Sequence, residues 1–320
     1  MKILLLHDAL IEAPRPDELD DLEPLESDRR LLCEAGHEVE LLPLTLDIKS
    51  AVEGIREACP DFVFNFVESV EGAGHLNHLA ATVLEMAGVP YSGCSAQALY
   101  LTTYKLLTKK VLQLHQLPFP AVFDPGAEHG NGLYIVKSQT EDASVGISQD
   151  SVVPAERVPE TIEDRRKRFG GEWFAEKYIA GREFNLGLLA DGDDVIVLPV
   201  AEIVFDGYGD SLYPIVGYAA KWEKNVFEYE NSKRRFVPPS EDLELVKKLT
   251  ELARRCWDAF DLSGYARVDF RVDQDNQPWI LEVNCNPGLD LDSGFVAGCS
   301  RLGLSYRDLL LHLLQNPRAV

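Results

Sequence analysis

Arg267, Asp269, Glu282 and Asn284 are the residues whose types and spacing most directly suggest chemistry. They fall within YARVDFRVDQDNQPWILEVNCNPG, residues 265–288, where two runs rich in β-branched and aromatic residues flank a polar turn. This reads as a β-hairpin. With a two-residue tip at Asp275-Asn276, Asp269 falls opposite Glu282 and Arg267 opposite Asn284. Side chains alternate along a strand, so all four share one face, and opposed Cβ atoms stand roughly 4.5–5.5 Å apart. The other face, Ala266, Val268, Phe270 and Val272 against Leu281 and Val283, reads as core. Two opposed carboxylates repel, which suggests a cation between them, and an oxygen-only donor set suits Mg²⁺ bridging substrate phosphates better than zinc. A solvated sheet face, with both acids paired to Arg267, is the competing reading, and the hairpin alone favours neither.

The elements that must position this hairpin can be read in order. KILLL (2–6), EVELLPL (38–44), DFVFNFV (61–67) and VPYSG (89–93) are short apolar strands separated by helical stretches, one ending near Gly36 and one capped by Asp47 and running toward Cys59. Such alternation predicts a parallel, doubly wound sheet with ligands at the carboxyl ends of its strands. That brings into play the acidic stretch Glu18, Asp20, Asp21, Glu23 and the loop from Glu68 to Gly74, where one carboxylate could grip a substrate amine. A helix follows from Thr103, then a strand opened by Pro118 and Pro120, then a strand ending in Lys137 with a small-residue loop after it. Ser144-Val145-Gly146 lacks Walker A spacing, yet such a loop can fold over phosphate oxygens. Residues 172–190 read as two strands around Ala180-Gly181, with Glu176 and Glu183 on either side. Residues 208–239 lack a clean period and read as a lid. A long helix over 241–260 precedes the hairpin, and helices near 293–302 and 305–315 close the sequence.

Composition excludes several classes of partner. A chain of 320 residues, 46% hydrophobic, can bury a large core, and a net charge of −22 opposes nucleic acid and anionic membrane alike. Six scattered cysteines without a C-x-x-C pair indicate reduced thiols rather than zinc or disulfides. No apolar run is long enough to span a bilayer, so a soluble cytoplasmic protein is expected.

Six segments together resemble the ATP-grasp carboxylate–amine ligases, most closely the D-alanine–D-alanine ligases: VPYSGCSAQALYLTTYKLLTKKVL, YIVKSQTEDASVGISQ, WFAEKYIAGREF, GYAAKW, GYARVDF and ILEVNCNPGL. The resemblance implies an ATP-grasp fold of α/β and α+β parts: an N-terminal doubly wound parallel-sheet domain (1–102), a central subdomain (103–182) and a C-terminal subdomain with lid and Mg²⁺ site (183–320). By position it implies that Lys105 and Lys137 hold the nucleotide phosphates, that Lys221 joins them from the lid, and that Ser144, Val145 and Gly146 close over them. Glu176, Lys177, Tyr178 and Ile179 would form the hinge on adenine and Glu183 would hold the ribose. Asp269, Glu282 and Asn284 would ligate two Mg²⁺ ions, with Mn²⁺ as a substitute. Arg267 would meet the γ-phosphate and acyl intermediate, and the Gly288 N–H an oxyanion. The implied activity converts a carboxylate to an acyl phosphate with ATP and joins it to an amine, releasing ADP and phosphate. The implied substrates are amino acids as small molecules, and the resemblance also implies a homodimer, the common state of such relatives.

The substrate end departs from that pattern. Glu68-Ser69 stands where the family carries His-Gly, and His7-Asp8-Ala9 replaces a glycine-rich segment. Ser293 and Gly294 match the acceptor-carboxylate position, but Asp290 and Asp292 add negative charge there, which suits an acceptor that is cationic or lacks a free carboxylate. Alternatively, these two acids cap the following helix. The competing function is a catalytically silent ATP-binding regulatory module, against which the retention of Arg267, Asp269, Glu282 and Asn284 speaks. Carboxylation would require a bicarbonate or biotin site, and no such signal is present.

Overall fold

The computed structural model describes residues 1–9, 22–128, 132–141, 143–209, 211–238 and 240–318. Glu18, Asp20 and Asp21 lie outside them. The N-terminal apolar runs form β1 (Lys2–Asp8), β2 (Glu38–Leu44) and β3 (Phe62–Asn65), a parallel sheet of order β2-β1-β3. Helices α1 (Leu22–Glu34), α2 (Ile48–Ala58) and α3 (His78–Ala87) connect and cover them. The Asp47 carboxylate caps α2 by accepting from Ser50 N at 3.1 Å. VPYSG, read as a fourth strand, contributes only isolated bridges at Tyr91, to Val63 and to Arg318.

Helices α4 (Ala96–Thr103) and α5 (Lys105–Leu114) are separate, broken at Tyr104. They belong to a core that joins Leu4, Val63 and Leu84 to Phe184, Val268 and Val283, so the N-terminal sheet and the largest sheet share one interior. The segment opened by Pro118 forms no strand and makes a single bridge, Val122 to Glu176. A small antiparallel sheet follows, β4 (Leu133–Ser138) between β5 (Val152–Pro154) and β6 (Trp173–Lys177), with α6 (Val158–Phe169) packed on it.

Strand β7 (Arg182–Asp191) leaves that sheet for another, so residues 172–190 are not a hairpin. With β8 (Asp194–Val197) and β9 (Ala201–Phe205) it builds the largest sheet, all antiparallel. The predicted lid is more ordered than its composition suggests. It contains α7 (Tyr218–Trp222), α8 (Phe227–Asn231) and β10 (Ser232–Phe236), the last paired to β9. Helix α9 (Leu243–Ala259) buries Leu245, Leu249 and Ala253, and β11 (Tyr265–Val272) and β12 (Pro278–Asn284) complete the order β10-β9-β7-β11-β12. Helices α10 (Gly294–Arg301) and α11 (Tyr306–Gln315) close the fold. Among the described residues no helix is long and apolar enough to cross a membrane.

Candidate active site

Alternation along β11 puts Arg267, Asp269 and Arg271 on one face. Gly187, Asn185 and Glu183 of β7 lie on one side of them, and Asn284 and Glu282 of β12 on the other. All eight line one cleft of about 600 Å³. Asp269 is opposite Glu282 and Arg267 opposite Asn284, as the sequence predicts, but the tip is not a two-residue turn. It runs from Asp273 to Gln277, organised by the Asp273 carboxylate, which accepts from Asp275 N, Gln277 N and Trp279 Nε1 at 2.9–3.0 Å. A bulge at Leu281 restores the register. Leu281 therefore lines the cleft instead of the core, and Ile280 faces Phe270.

Asp269 is 7% exposed, and its two oxygens accept from Arg267 Nε and Nη2 and from Asn185 Nδ2, each at 2.7 Å. Burial pushes its carboxyl above the ordinary range despite Arg267, and Glu282 adds to the rise. Burial also opposes ionisation of Glu282, but Lys105, Arg267 and Lys221 together outweigh it and hold that carboxyl at about 2. One face thus offers two carboxylates and the Asn284 amide, whose Oδ1 accepts from Asn286 N at 2.8 Å. Among the described residues no cluster of three or more His, Cys, Asp or Glu side chains could hold a metal. The donor set therefore fits Mg²⁺ only where nucleotide oxygens and water complete its shell.

At the end of the cleft where phosphates are expected, Lys105 and Lys137 line the wall, and Lys105 Nζ donates to Glu141 O at 2.9 Å. Glu176 differs from its expected hinge role. Its backbone is paired within the small sheet, and its side chain, 1% exposed, lies 2.7 Å from both Lys109 Nζ and Lys137 Nζ. It anchors Lys137 from below. In the loop, Ser144 lines the cleft in left-handed backbone (φ +63°) and donates from Oγ to Val216 O at 2.9 Å. Val145 is buried, and Gly146 backs onto Trp173, whose ring would lie 2.4 Å from an added Cβ. The lid clasps this loop: Trp222 Nε1 donates to Ala143 O at 2.9 Å and Tyr218 N to Ile147 O at 2.8 Å. Lys221, exposed on α7, lines the cleft opposite Glu282.

Lys177, Tyr178 and Ile179 line the next part of the cleft. Tyr178 stacks edge-on against Tyr213, with ring centroids 5.5 Å apart, and Ile215 adds an apolar wall. Glu183 points in beside them, 3.2 Å from Arg271 Nη1. Burial raises its carboxyl, Arg271 works against that rise, and Asp269 adds to it.

At the end of the cleft where the amino acid substrates are expected, the Asp8 carboxylate holds the 68–69 turn, accepting from Glu68 N, Ser69 N and Ser69 Oγ at 2.7–2.9 Å. Gly288 lies between two acids: a Cβ there would be 3.3 Å from Asp290 Oδ2 and 3.5 Å from Glu68 Oε1. Ser293, not Asp290 or Asp292, caps α10, its Oγ accepting from Val296 N at 3.3 Å. The pocket is not purely acidic as the sequence implies, because Arg234 donates to Asp292 O at 3.0 Å and its Nη1 lies 3.2 Å from where a Gly294 Cβ would stand.

Sequence reasoning passes over Lys109, Asn185, Arg234 and Arg271. Helical spacing from Lys105 signals Lys109, and strand alternation from Asp269 signals Arg271. Asn185 and Arg234 enter through sheet neighbours distant in sequence and leave no local trace.

The family described as "D-ala D-ala ligase C-terminus" matches residues 103–315. A D-alanine–D-alanine ligase of Bordetella petrii is 32% identical over 72% of this chain and 69% of its own. The uncharacterized protein y4sG of Sinorhizobium fredii is 29% identical over 88% of this chain and 84% of its own. The D-alanine–D-alanine ligase of Bacillus anthracis, in a crystal structure complexed with ATP, superposes with a TM-score of 0.72 at 18% identity, covering 99% of this chain and 97% of that one.

Proposed function

Because this chain belongs to the D-alanine–D-alanine ligase family and is an ATP-dependent carboxylate–amine ligase, we propose that it joins two amino acids into a dipeptide through an acyl phosphate. The observation that carries this reading is the register that sets Arg267 and Asp269 against Asn284 and Glu282, in a cleft also lined by Lys105, Lys137 and Lys221.

In this reading the hinge from Lys177 to Ile179 and the ribose carboxylate Glu183 seat the nucleoside, and the loop at Ser144 and the lid at Lys221 cover the phosphates. Magnesium, held by Asp269, Glu282 and Asn284, supplies charge neutralisation on the phosphates when bound. A donor carboxylate oxygen attacks the γ-phosphorus and ADP leaves. Lys105, Lys137 and Arg267 offset the charge that develops, and positioning does most of the work. Glu68 and Asp290 flank Gly288 and suit an ammonium group. Arg234, Ser293 and Gly294 suit a carboxylate. This pairing favours a zwitterionic acceptor over one lacking a carboxylate. The acceptor's ammonium gives up a proton, the free amine attacks the acyl carbon, and phosphate leaves as the nitrogen sheds its second proton, with the docked lid keeping bulk water out. Residues 1–102, 103–182 and 183–320 act as three parts closing on this cleft.

The test is ADP release measured across D- and L-amino acids, with the product mass determined. Amino-acid-dependent ADP formation with a dipeptide mass is expected. ATP binding without turnover on any amino acid overturns the reading in favour of a silent nucleotide-binding module.

A further inference from the structure

Arg271 is a buried cation in the cleft that none of the roles above uses. It is 3% exposed and reaches three separate segments. Nε donates to Ile179 O at 3.0 Å, and Nη1 donates to Pro214 O at 2.8 Å and meets Glu183 Oε2 at 3.2 Å. The guanidinium also lies over the rings of Tyr178 and Phe205, 5.7 and 5.9 Å from their centroids. By distance and angle, neither the buried Nη2 nor the buried Tyr178 hydroxyl has a hydrogen-bond partner among the described residues, although the Arg271 and Tyr178 side chains lie close enough to interact. A guanidinium N–H stranded in the interior is costly, so such atoms are normally satisfied by something bound.

The chemistry of that occupant follows from its neighbours. Nη2 can only donate, so it requires a lone pair. Glu183, with Oε2 3.2 Å from Arg271 Nη1, turns acceptor oxygens to the same space, and these call for a hydroxyl or N–H. The occupant must present an acceptor next to hydroxyl donors, between the hinge at Ile179 and the strand at Glu183. The sugar edge of a purine nucleoside does this, with ring N3 adjoining the ribose 2′-hydroxyl. We infer that Arg271 is a nucleotide-recognition residue that donates from Nη2 to purine N3 while holding Glu183 for the ribose. The inference rests on the nucleotide reading above and adds to it a residue that reads the base. Through Pro214 O the same guanidinium ties the lid segment to the nucleoside.

The test is equilibrium binding of ATP and 3-deaza-ATP to the full chain by calorimetry without amino acids, for wild type, Arg271→Met, Arg271→Lys and Tyr178→Phe. Wild type is expected to bind 3-deaza-ATP about 10- to 100-fold more weakly than ATP, the range for one hydrogen bond from a charged donor. Arg271→Met and Arg271→Lys are expected to bind both ligands alike, with ATP weakened and KM for ATP raised more than kcat is lowered. Tyr178→Phe is expected to keep the 3-deaza penalty. Equal binding of the two nucleotides by wild type overturns the inference even if no variant folds. So does a penalty that survives in Arg271→Met or disappears in Tyr178→Phe. Failure of wild type to bind ATP at all overturns the nucleotide reading itself, and the inference with it.

Discussion

Replacing Glu176 by glutamine removes one charge and almost no volume, so its cost isolates the electrostatics beneath Lys137 in the cleft. The carboxylate is held at 2.7 Å by two ammonium groups whose side chains are 4% and 13% exposed. With an amide between them, those cations face each other across roughly 5 Å, which at an effective dielectric of about 20 is worth about 3 kcal/mol of repulsion. Breaking a buried ion pair from one side is measured at about 3–5 kcal/mol, and the two estimates agree. Lys109→Met removes a cation instead. It leaves Glu176 paired with Lys137 but strips the donor from Leu281 O at 3.0 Å and Ile280 O at 3.4 Å, a loss of about 1–3 kcal/mol. Combined with Glu176→Gln it also removes the repulsion, so the double variant should be less destabilised than the sum of the singles by at least about 1 kcal/mol. The pH dependence has a definite sign. Burial lowers the Lys109 pKa in the folded state, so the unfolded chain binds more protons between that value and the ordinary one, and stability rises with pH across that window. Without Glu176 the window widens and the rise is larger. Urea denaturation followed by circular dichroism at pH 7, 8 and 9 measures all of this. A Glu176→Gln midpoint within about 1 kcal/mol of wild type, or additive single variants, refutes the buried-triad argument.

Asp28 gives the opposite pH sign. It is 5% exposed, and burial, with Asp290 adding to it, pushes its carboxyl to about 6. A rise from the ordinary 3.8 to that value corresponds to about 3 kcal/mol against the charged form. The folded state binds more protons between those values, so wild-type stability falls as pH rises through them and the penalty is complete above about 6. Asp28→Asn should match wild type near pH 4 and exceed it by about 1–3 kcal/mol at pH 7.5 in the same urea assay. Gly146→Ala meets both a positive φ of +69° and the Trp173 ring at 2.4 Å. The loop must move, and steady-state kinetics should show KM for ATP raised about tenfold or more. Arg234→Met should raise KM for the acceptor about 10- to 100-fold, with KM for the donor unchanged, through loss of a charge-assisted contact to its carboxylate.

How much of this was legible in the sequence is clearest at the hairpin. Alternation puts Arg267, Asp269, Glu282 and Asn284 on one face correctly, yet a two-residue tip leaves the register beside the turn off by one, and the bulge at Leu281 has no local signal. The two errors cancelled at the site and not at the tip. The bulge could not be read locally because the carbonyls of Ile280 and Leu281 are bonded by Lys109, some 170 positions away. The same limit explains residues 172–190. Two good strand patterns around a glycine look like a hairpin, but Gly181 takes φ +149° with Val272 O only 2.0 Å from where a Cβ would stand, and the chain crosses there into a different sheet. Lid order leaves no local signal for a related reason, since α7 and α8 are each one turn long and are held by contacts to the 143–148 loop and β10, not by their own periodicity.

Charge distribution links these observations. An ATP-dependent ligase of net charge −22 must hold a polyanion against its own field, and in the proposed reading it does so with cations concentrated on one cleft: Lys105, Lys137, Lys221, Arg234, Arg267 and Arg271 all line it. Several of these cations already contact a group within the protein: Lys137 is paired with Glu176, Arg267 with Asp269, Arg271 with Glu183, and Arg234 with the Asp292 carbonyl. A guanidinium or ammonium held this way pays less side-chain entropy when a ligand arrives, because its rotamer is already chosen. Nor does it sit as a bare charge in a low-dielectric cleft beforehand, which would be expensive. The internal acids that look like obstacles to nucleotide binding are therefore what makes such a concentration of positive charge compatible with a folded, strongly acidic protein. The motif residues seen in the sequence and the partners seen only in the structure are two halves of the same arrangement.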